Sequence, residues 1–261
     1  MFDFHIHSRV SFDGHDRGES MALAGKAAGL QEICFTDHID YDPLEKMGKM
    51  DFDTDAYNAE YDGLEVPGLV IRHGMEFGMM ADNMDMLRKD LQRRKFDFVL
   101  GSVHFVDNYD VYFLEYWQGK TVFQAERRFL EATLECVSNH NEFDVLSHLT
   151  YLGKSPAHPA TRPIPYAEHA SLVDEILRTL AKKGKGMEVN TSGMDRAGDY
   201  LPGVEYLQRF RALGGNIVTI GSDAHRSDRV GQYSFEVCRM LKDIFGHVCT
   251  FQDREPVFHK L

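Results

Sequence analysis

Two histidines within the first seven residues set the chemistry that the rest of the chain has to serve. Phe2-Asp3-Phe4-His5-Ile6-His7 reads as a β-strand. Residues two apart on a strand share a face, so His5 and His7 present two imidazoles side by side at its exit. Alone, a His-x-His pair is most simply a surface strand; the later strands change that reading. One after another they end in a residue able to bind a cation: His38, Glu76, His104, His148, and Asp223 with His225. Imidazole combined with carboxylate suits zinc, manganese or iron, whereas calcium or magnesium asks for more oxygen ligands. Six histidines with Glu76, Asp223 and either Asp13 or Asp37 exceed the roughly four to six donors one ion takes. Two or three divalent ions are therefore expected, with Glu76 placed to bridge a pair. Such a cluster turns a bound water into hydroxide near neutral pH and balances the charge of a phosphoryl group in transfer. The chain carries no G-x-S-x-G elbow, P-loop or G-x-G-x-x-G, so the competing nucleophile and nucleotide schemes lack their parts.

The elements that must position these groups alternate between β-like runs and helix-like stretches. The pattern predicts strands ending at residue 7 and over 32–36, 69–74, 96–103, 143–147, 186–189 and 216–221. It predicts helices over about 19–29, 53–63, 82–94, 121–138, 168–183, 203–213 and 230–245, then a short C-terminal segment around Val248. Seven β/α units approach the count of a TIM-like barrel, whose active sites lie at the C-terminal strand ends. The ligand-type residues fall there. The remaining histidines, His15, His73, His140, His158, His169, His247 and His259, lie mostly in loops, helices or the tail.

Composition narrows the class. At 261 residues with 43% hydrophobic and 27% charged residues, the chain can bury a sizeable core. No Pro/Gly-rich linker, repeat or charge block divides it, so one domain over 1–261 is expected. No apolar run reaches the length of a membrane span, and the N-terminus lacks the charge and apolar pattern of a signal peptide. The expectation is a cytoplasmic protein that does not engage a membrane. The four cysteines, Cys34, Cys136, Cys238 and Cys249, form no C-x-x-C pair and read as buried free thiols. A formal net charge of -12 argues against nucleic acid as a partner.

With these residues in view, the chain resembles the polymerase and histidinol phosphatase (PHP) superfamily, and within it the histidinol-phosphate phosphatases. The resemblance rests on an ordered set of motifs: His5-Ile6-His7-Ser8, Thr36-Asp37-His38, Gly74-Met75-Glu76, Gly101-Ser102-Val103-His104, Ser147-His148, Glu188-Val189-Asn190-Thr191-Ser192-Gly193 and Gly221-Ser222-Asp223-Ala224-His225. Each is weak alone; together they span most of the chain. The resemblance implies an α/β fold, a distorted TIM-like (β/α)7 barrel with a trinuclear site. In that pattern His5, His7, Glu76 and Asp223 hold one ion, and Glu76 bridges to a second held by His104 and His148. Asp13, with His15 as its rival, joins His38 and His225 on the third. Lys154, just after the strand-five histidine, is the candidate phosphate contact, with Arg162 and Arg226 as alternatives. Ser102 and Asn190 complete the expected substrate contacts; a turn-forming role serves Asn190 and Ser192 equally well. The implied activity is a metal-dependent phosphomonoesterase acting on a small phosphorylated substrate, with L-histidinol phosphate, of histidine biosynthesis, the first choice. Glu76, Asp223 and His225 would be its catalytic groups, Asp223 or a nearby histidine protonating the leaving alkoxide. Alternatives are a PHP enzyme acting on a phosphodiester, nucleotide or phosphotyrosine, or a metal-dependent amidohydrolase. The last commonly uses a carboxylated lysine mid-barrel, where this chain has Glu76 and His104. Asp37 is a candidate to orient His38 or another ligand, and the aromatic loop from Tyr109 to Trp117 either closes over substrate or packs under the rim.

Overall fold

The computed structural model describes residues 1–159 and 162–261. Among them a nearly closed barrel of parallel strands runs in sequence order: β1 (Phe2–Ile6), β2 (Glu32–Phe35), β3 (Val70–Gly78), β4 (Phe98–Ser102), β5 (Val145–Leu146), β6 (Gly186–Asn190) and β7 (Val218–Gly221). The seam between first and last strands is joined beyond β7, where Asp223 donates its N–H to the His5 carbonyl at 2.8 Å and His7 donates to Ala224 at 2.9 Å. That seam brings the His-x-His pair and the Ser222-Asp223-Ala224-His225 segment together, although they are separated by almost the whole chain.

Every residue of β1, β4, β6 and β7 is buried, as expected of parallel strands covered on both faces. Phe4 meets Phe98 edge-on at 5.5 Å, and Phe98 in turn meets Phe251 at 4.8 Å. Each such phenyl contributes about 1.5–3 kcal/mol through burial. The outer layer comprises α1 (Gly18–Ala27), α2 (Thr54–Tyr61), α3 (Met84–Asp90), α4 (Leu114–Trp117), α5 (Val122–Asn139), α6 (Tyr166–Lys182), α7 (Val204–Ala212) and α8 (Ser234–Ile244). A capping box starts α5: Thr121 accepts from the Gln124 N–H and the Gln124 side chain accepts from Thr121 N–H. Its inner face, including Ala125, Phe129, Leu130 and Val137, follows the helical period and packs toward α6. Among the described residues no helix is long and apolar enough to cross a membrane.

The strand and helix order matches the expectation, with α4 as an added turn of helix in the aromatic loop and three further differences. First, β3 runs on through Gly78, placing Glu76 inside the strand, because the short strand His38–Asp40 pairs alongside it with His38 opposite Glu76. Second, α8 starts at Ser234 and not near Val230: Gly231 and Tyr233 adopt left-handed φ of 72° and 60°, which interrupts any helix there. Third, the C-terminal segment is a β-hairpin, β8 (His247–Gln252) with β9 (Glu255–Lys260).

Candidate metal centre and active site

The C-terminal ends of the strands converge on one cavity of about 650 Å³. Beside it, His5 and His7 are fully buried, brought there by the alternation of β1. The His5 Nε2 lies 2.9 Å from Glu76 Oε2 and 3.5 Å from Asp223 Oδ1; the His7 Nε2 lies 3.2 and 3.4 Å from the same two oxygens. The other oxygen of Glu76, Oε1, faces His148 Nε2 at 2.9 Å and His104 Nε2 at 3.2 Å. A third set lies toward the opening, where Asp13 Oδ2 is 3.0 Å from His225 Nε2 and 3.6 Å from His38 Nε2.

These residues fit divalent cations. Three groups, His5-His7-Glu76-Asp223, Glu76-His104-His148 and His7-Asp13-His38-His225, each offer ligand atoms within 4.8 Å of one another. The His7 Nε2 is buried without a hydrogen-bond partner, an arrangement that costs about 1–3 kcal/mol unless something binds it. Glu76, 1% exposed, carries imidazoles against both oxygens, and one carboxylate thereby addresses two groups. Burial lowers the pKa of His7 and His148, favouring the neutral imidazole that can donate a lone pair. Burial alone would raise the Asp223 carboxyl, but Lys154, His5 and the other imidazoles hold it well below the usual range, so it stays ionised.

The nine expected metal-type residues therefore come together, and Asp13, not His15, lies within the third group; His15 lines the cavity nearby. Lys154 reaches the centre, its Nζ donating to Asp223 Oδ2 at 2.5 Å and Ser192 Oγ at 2.9 Å. Arg226 lines the cavity mouth with its side chain largely exposed. Other expected contacts are placed differently. Ser102 and Asn190 are fully buried beneath the ligands: Ser102 donates to Glu76 Oε1 at 2.6 Å and Asn190 to Glu188 Oε2 at 3.1 Å. Arg162 is outside the cavity lining, drawn 3.3 Å from the buried carboxylate of Glu126 and 3.6 Å from Glu168. Asp37 accepts from Ser8 N–H at 2.9 Å and Tyr61 Oη at 2.6 Å, fixing the chain after β1 and leaving the His38 ring to other partners. The aromatic loop divides: Tyr112 and Phe113 line the cavity, whereas Tyr116 and Trp117 are core.

Sequence reasoning missed several neighbours. Glu188 Oε1 lies 2.7 Å from His5 Nδ1, and Asp40 lies against the Nδ1 atoms of both His38 and His104. Strand parity was the available signal, since Asp40 stands two residues from His38 and Glu188 two from Asn190. Arg196, above the Tyr112 ring at 5.7 Å, and Arg229, paired with Asp195, also line the mouth.

Fold and site together define a TIM-like barrel with clustered metal-ligand side chains at the C-terminal ends of its strands. Residues 3–192 match the PHP domain family, and the chain belongs to that family. The histidinol-phosphatase of Lactococcus lactis subsp. lactis (strain IL1403) is 31% identical over 233 residues, covering 87% of this chain and 85% of that protein. The crystal structure of histidinol phosphate phosphatase from Lactococcus lactis subsp. lactis Il1403, complexed with Zn, L-histidinol and phosphate, superposes with a TM-score of 0.83. It is 28% identical, and the match covers 98% of each chain.

Proposed function

We propose that this chain is a metal-dependent phosphomonoesterase, a cytoplasmic enzyme built as one barrel domain, that hydrolyses L-histidinol phosphate to L-histidinol and phosphate. The observation that carries the reading is the meeting of Glu76 with imidazoles from β1, β4 and β5 in a cavity that also holds Lys154. The similarity to histidinol phosphatases over most of the chain supports the substrate. His5, His7, Glu76 and Asp223 would hold one divalent ion, zinc, manganese or iron; Glu76, His104 and His148 a second; Asp13, His38 and His225 a third. When bound, such ions supply Lewis acidity that activates water at neutral pH and neutralises phosphoryl charge.

The chain's own residues do the rest. Lys154 Nζ, with Arg196, Arg226 and Arg229 at the mouth, draws the phosphate's non-bridging oxygens inward and balances their charge. Water attacks phosphorus opposite the alkoxide, the bond from phosphorus to the histidinol oxygen breaks, and that oxygen takes a proton from His225 at the end of β7, which the proton shed by the attacking water later replaces, while Asp223 stays ionised. Tyr112 and Phe113 form an apolar wall for the organic half of the substrate. The test is steady-state turnover of histidinol phosphate against other small phosphoesters after reconstitution with zinc, manganese or iron. A clear preference for histidinol phosphate is expected; equal or faster turnover of unrelated esters removes the assignment.

A further inference from the structure

Asp40 lies in none of the three groups just described, yet its carboxylate touches two of them and, with His38 and His104, makes a further close set whose ligand atoms also lie within 4.8 Å of one another. His38 belongs with Asp13 and His225, and His104 with Glu76 and His148. Asp40 Oδ1 accepts from His104 Nδ1 at 2.9 Å; its Oδ2 lies 3.0 Å from His38 Nδ1, which is also 3.4 Å from Glu76 Oε2. Neither Asp40 Oδ2 nor His38 Nδ1 completes a hydrogen bond, so a small turn of the His38 ring is needed to close that contact. The far nitrogens of the two rings turn to the ligand groups: His104 Nε2 is 3.2 Å from Glu76 and His38 Nε2 is 3.6 Å from Asp13. Asp40 is 3% exposed. Its place depends on a glycine, since a Cβ on Gly78 at the end of β3 would collide with Asp40 Oδ1. Gly221 makes a similar niche for Glu188, which orients His5.

We propose that Asp40 is a positioning residue that holds His38 and His104 with their Nε2 lone pairs facing two different ion positions, and so couples the occupancy of those positions. The inference rests on the reading that the clusters hold divalent ions. A carboxylate that accepts Nδ1–H fixes the tautomer and the ring plane of a histidine ligand, and losing such a partner lowers metal affinity roughly 10–100-fold. Here one rigid carboxylate serves two rings. It cannot rotate toward one without abandoning the other.

Zn²⁺ uptake by the full chain tests this, with elemental analysis for stoichiometry and chelator competition for affinity. Asp40→Asn keeps the shape but turns one acceptor into an N–H donor. Two ions are expected to weaken, each by roughly 10–100-fold, while Glu188→Gln weakens one. Gly78→Ala crowds the carboxylate without altering a ligand and gives the same two-ion loss should Asp40→Asn fold poorly, which circular dichroism reports. Long-range ¹H–¹⁵N spectra of the zinc-loaded wild type should show His38 and His104 protonated at Nδ1 and bound through Nε2. Weakening of one ion or none in the variants, or metal at Nδ1 of these rings, overturns the role of Asp40 while leaving the cluster intact. Wild-type protein that takes up fewer than two ions rejects the cluster reading and this inference together.

Discussion

Glu126 makes the stability of the fold depend on pH in a way that can be worked from its surroundings. It sits on the inner face of α5 with no exposed surface. His169 Nε2 lies 3.2 Å from its Oε2, and His158 Nε2 and Arg162 Nη2 lie 3.4 and 3.3 Å from its Oε1. Burial alone would raise its carboxyl, but the two imidazole hydrogen bonds and the guanidinium prevail and hold it at about 2, against an ordinary 4.5. A carboxyl depressed by folding stabilises the native state above its unfolded value, and that stability is lost as pH falls toward its folded value. The displacement corresponds to about 3 kcal/mol at neutral pH, of which about 1 kcal/mol remains at pH 3 and almost none below pH 2. Glu126→Gln keeps the size of the side chain and removes the charge. Urea unfolding followed by circular dichroism should place it about 3 kcal/mol below wild type at pH 7, nearly as far below at pH 5.5, and closer to 1 kcal/mol below at pH 3. A deficit that stays constant over this range, or widens on acidification, refutes the charge-based account and leaves Glu126 as a packing residue.

Two further expectations concern the cavity. Lys154→Ala should lower kcat/KM for histidinol phosphate by about 10²–10³, the loss usual for one group that stabilises developing charge. It should also weaken inhibition by inorganic phosphate, and unchanged phosphate inhibition would take Lys154 out of the phosphate site. Asp110 lines the same cavity and accepts from Tyr112 N–H at 2.8 Å, with the His104 and His38 imidazoles as the basic groups that act on it. It is available to the positive end of an amino-alcohol phosphate. Asp110→Asn should raise KM for histidinol phosphate by roughly tenfold or more, from the loss of a charged hydrogen bond of about 1.5–3 kcal/mol, with a far smaller effect on an ester lacking a positive charge. Equal effects on both esters would place Asp110 in the scaffold of the connection after β4 and not in recognition.

What could be read from the sequence follows from which constraints are local. A strand end that must deliver an imidazole or carboxylate shows it in the residue itself, so His5, His7, Glu76, His104, His148 and Asp223 stood out without any coordinates. The partners of those ligands did not. Ser102 stands at a strand end as a substrate contact would, but β3 and β4 align Gly78 with Ser102, and its hydroxyl donates to Glu76; register between strands leaves no trace in one chain. Arg162 failed for a related reason, because its partner Glu126 lies on α5, across the connection from β5. A glutamate in the apolar face of an amphipathic helix was the only local sign of a buried partner. The C-terminal hairpin turns at Asp253 and Arg254, with φ of 52° and 70°. No glycine marks it, and Pro256 on its second strand reads against a strand.

The charge of the molecule poses a further question, since a protein of net charge -12 is asked to attract a phosphate ester. Net charge is a poor guide at the mouth of the cavity. Exposed charges more than about 8–10 Å away are largely screened at physiological ionic strength. What a substrate meets is the local set: Lys154 from the connection after β5, Arg196 from that after β6, and Arg226 and Arg229 from that after β7. Glu76 and Asp223 lie deeper, where imidazoles face them, and Lys154 also contacts Asp223. Asp110, in contrast, comes from the connection after β4. Basic groups from three successive late connections face Asp110 from an earlier one, while Asp13 toward the opening and Asp195, paired with Arg229, add negative charge to the same lining. The cavity thus offers both cationic and anionic contacts to a molecule anionic at one end and cationic at the other. Raising the salt concentration should therefore weaken capture of such a substrate through its local contacts, and do so more strongly for the doubly charged ester than for a phosphate lacking the amine.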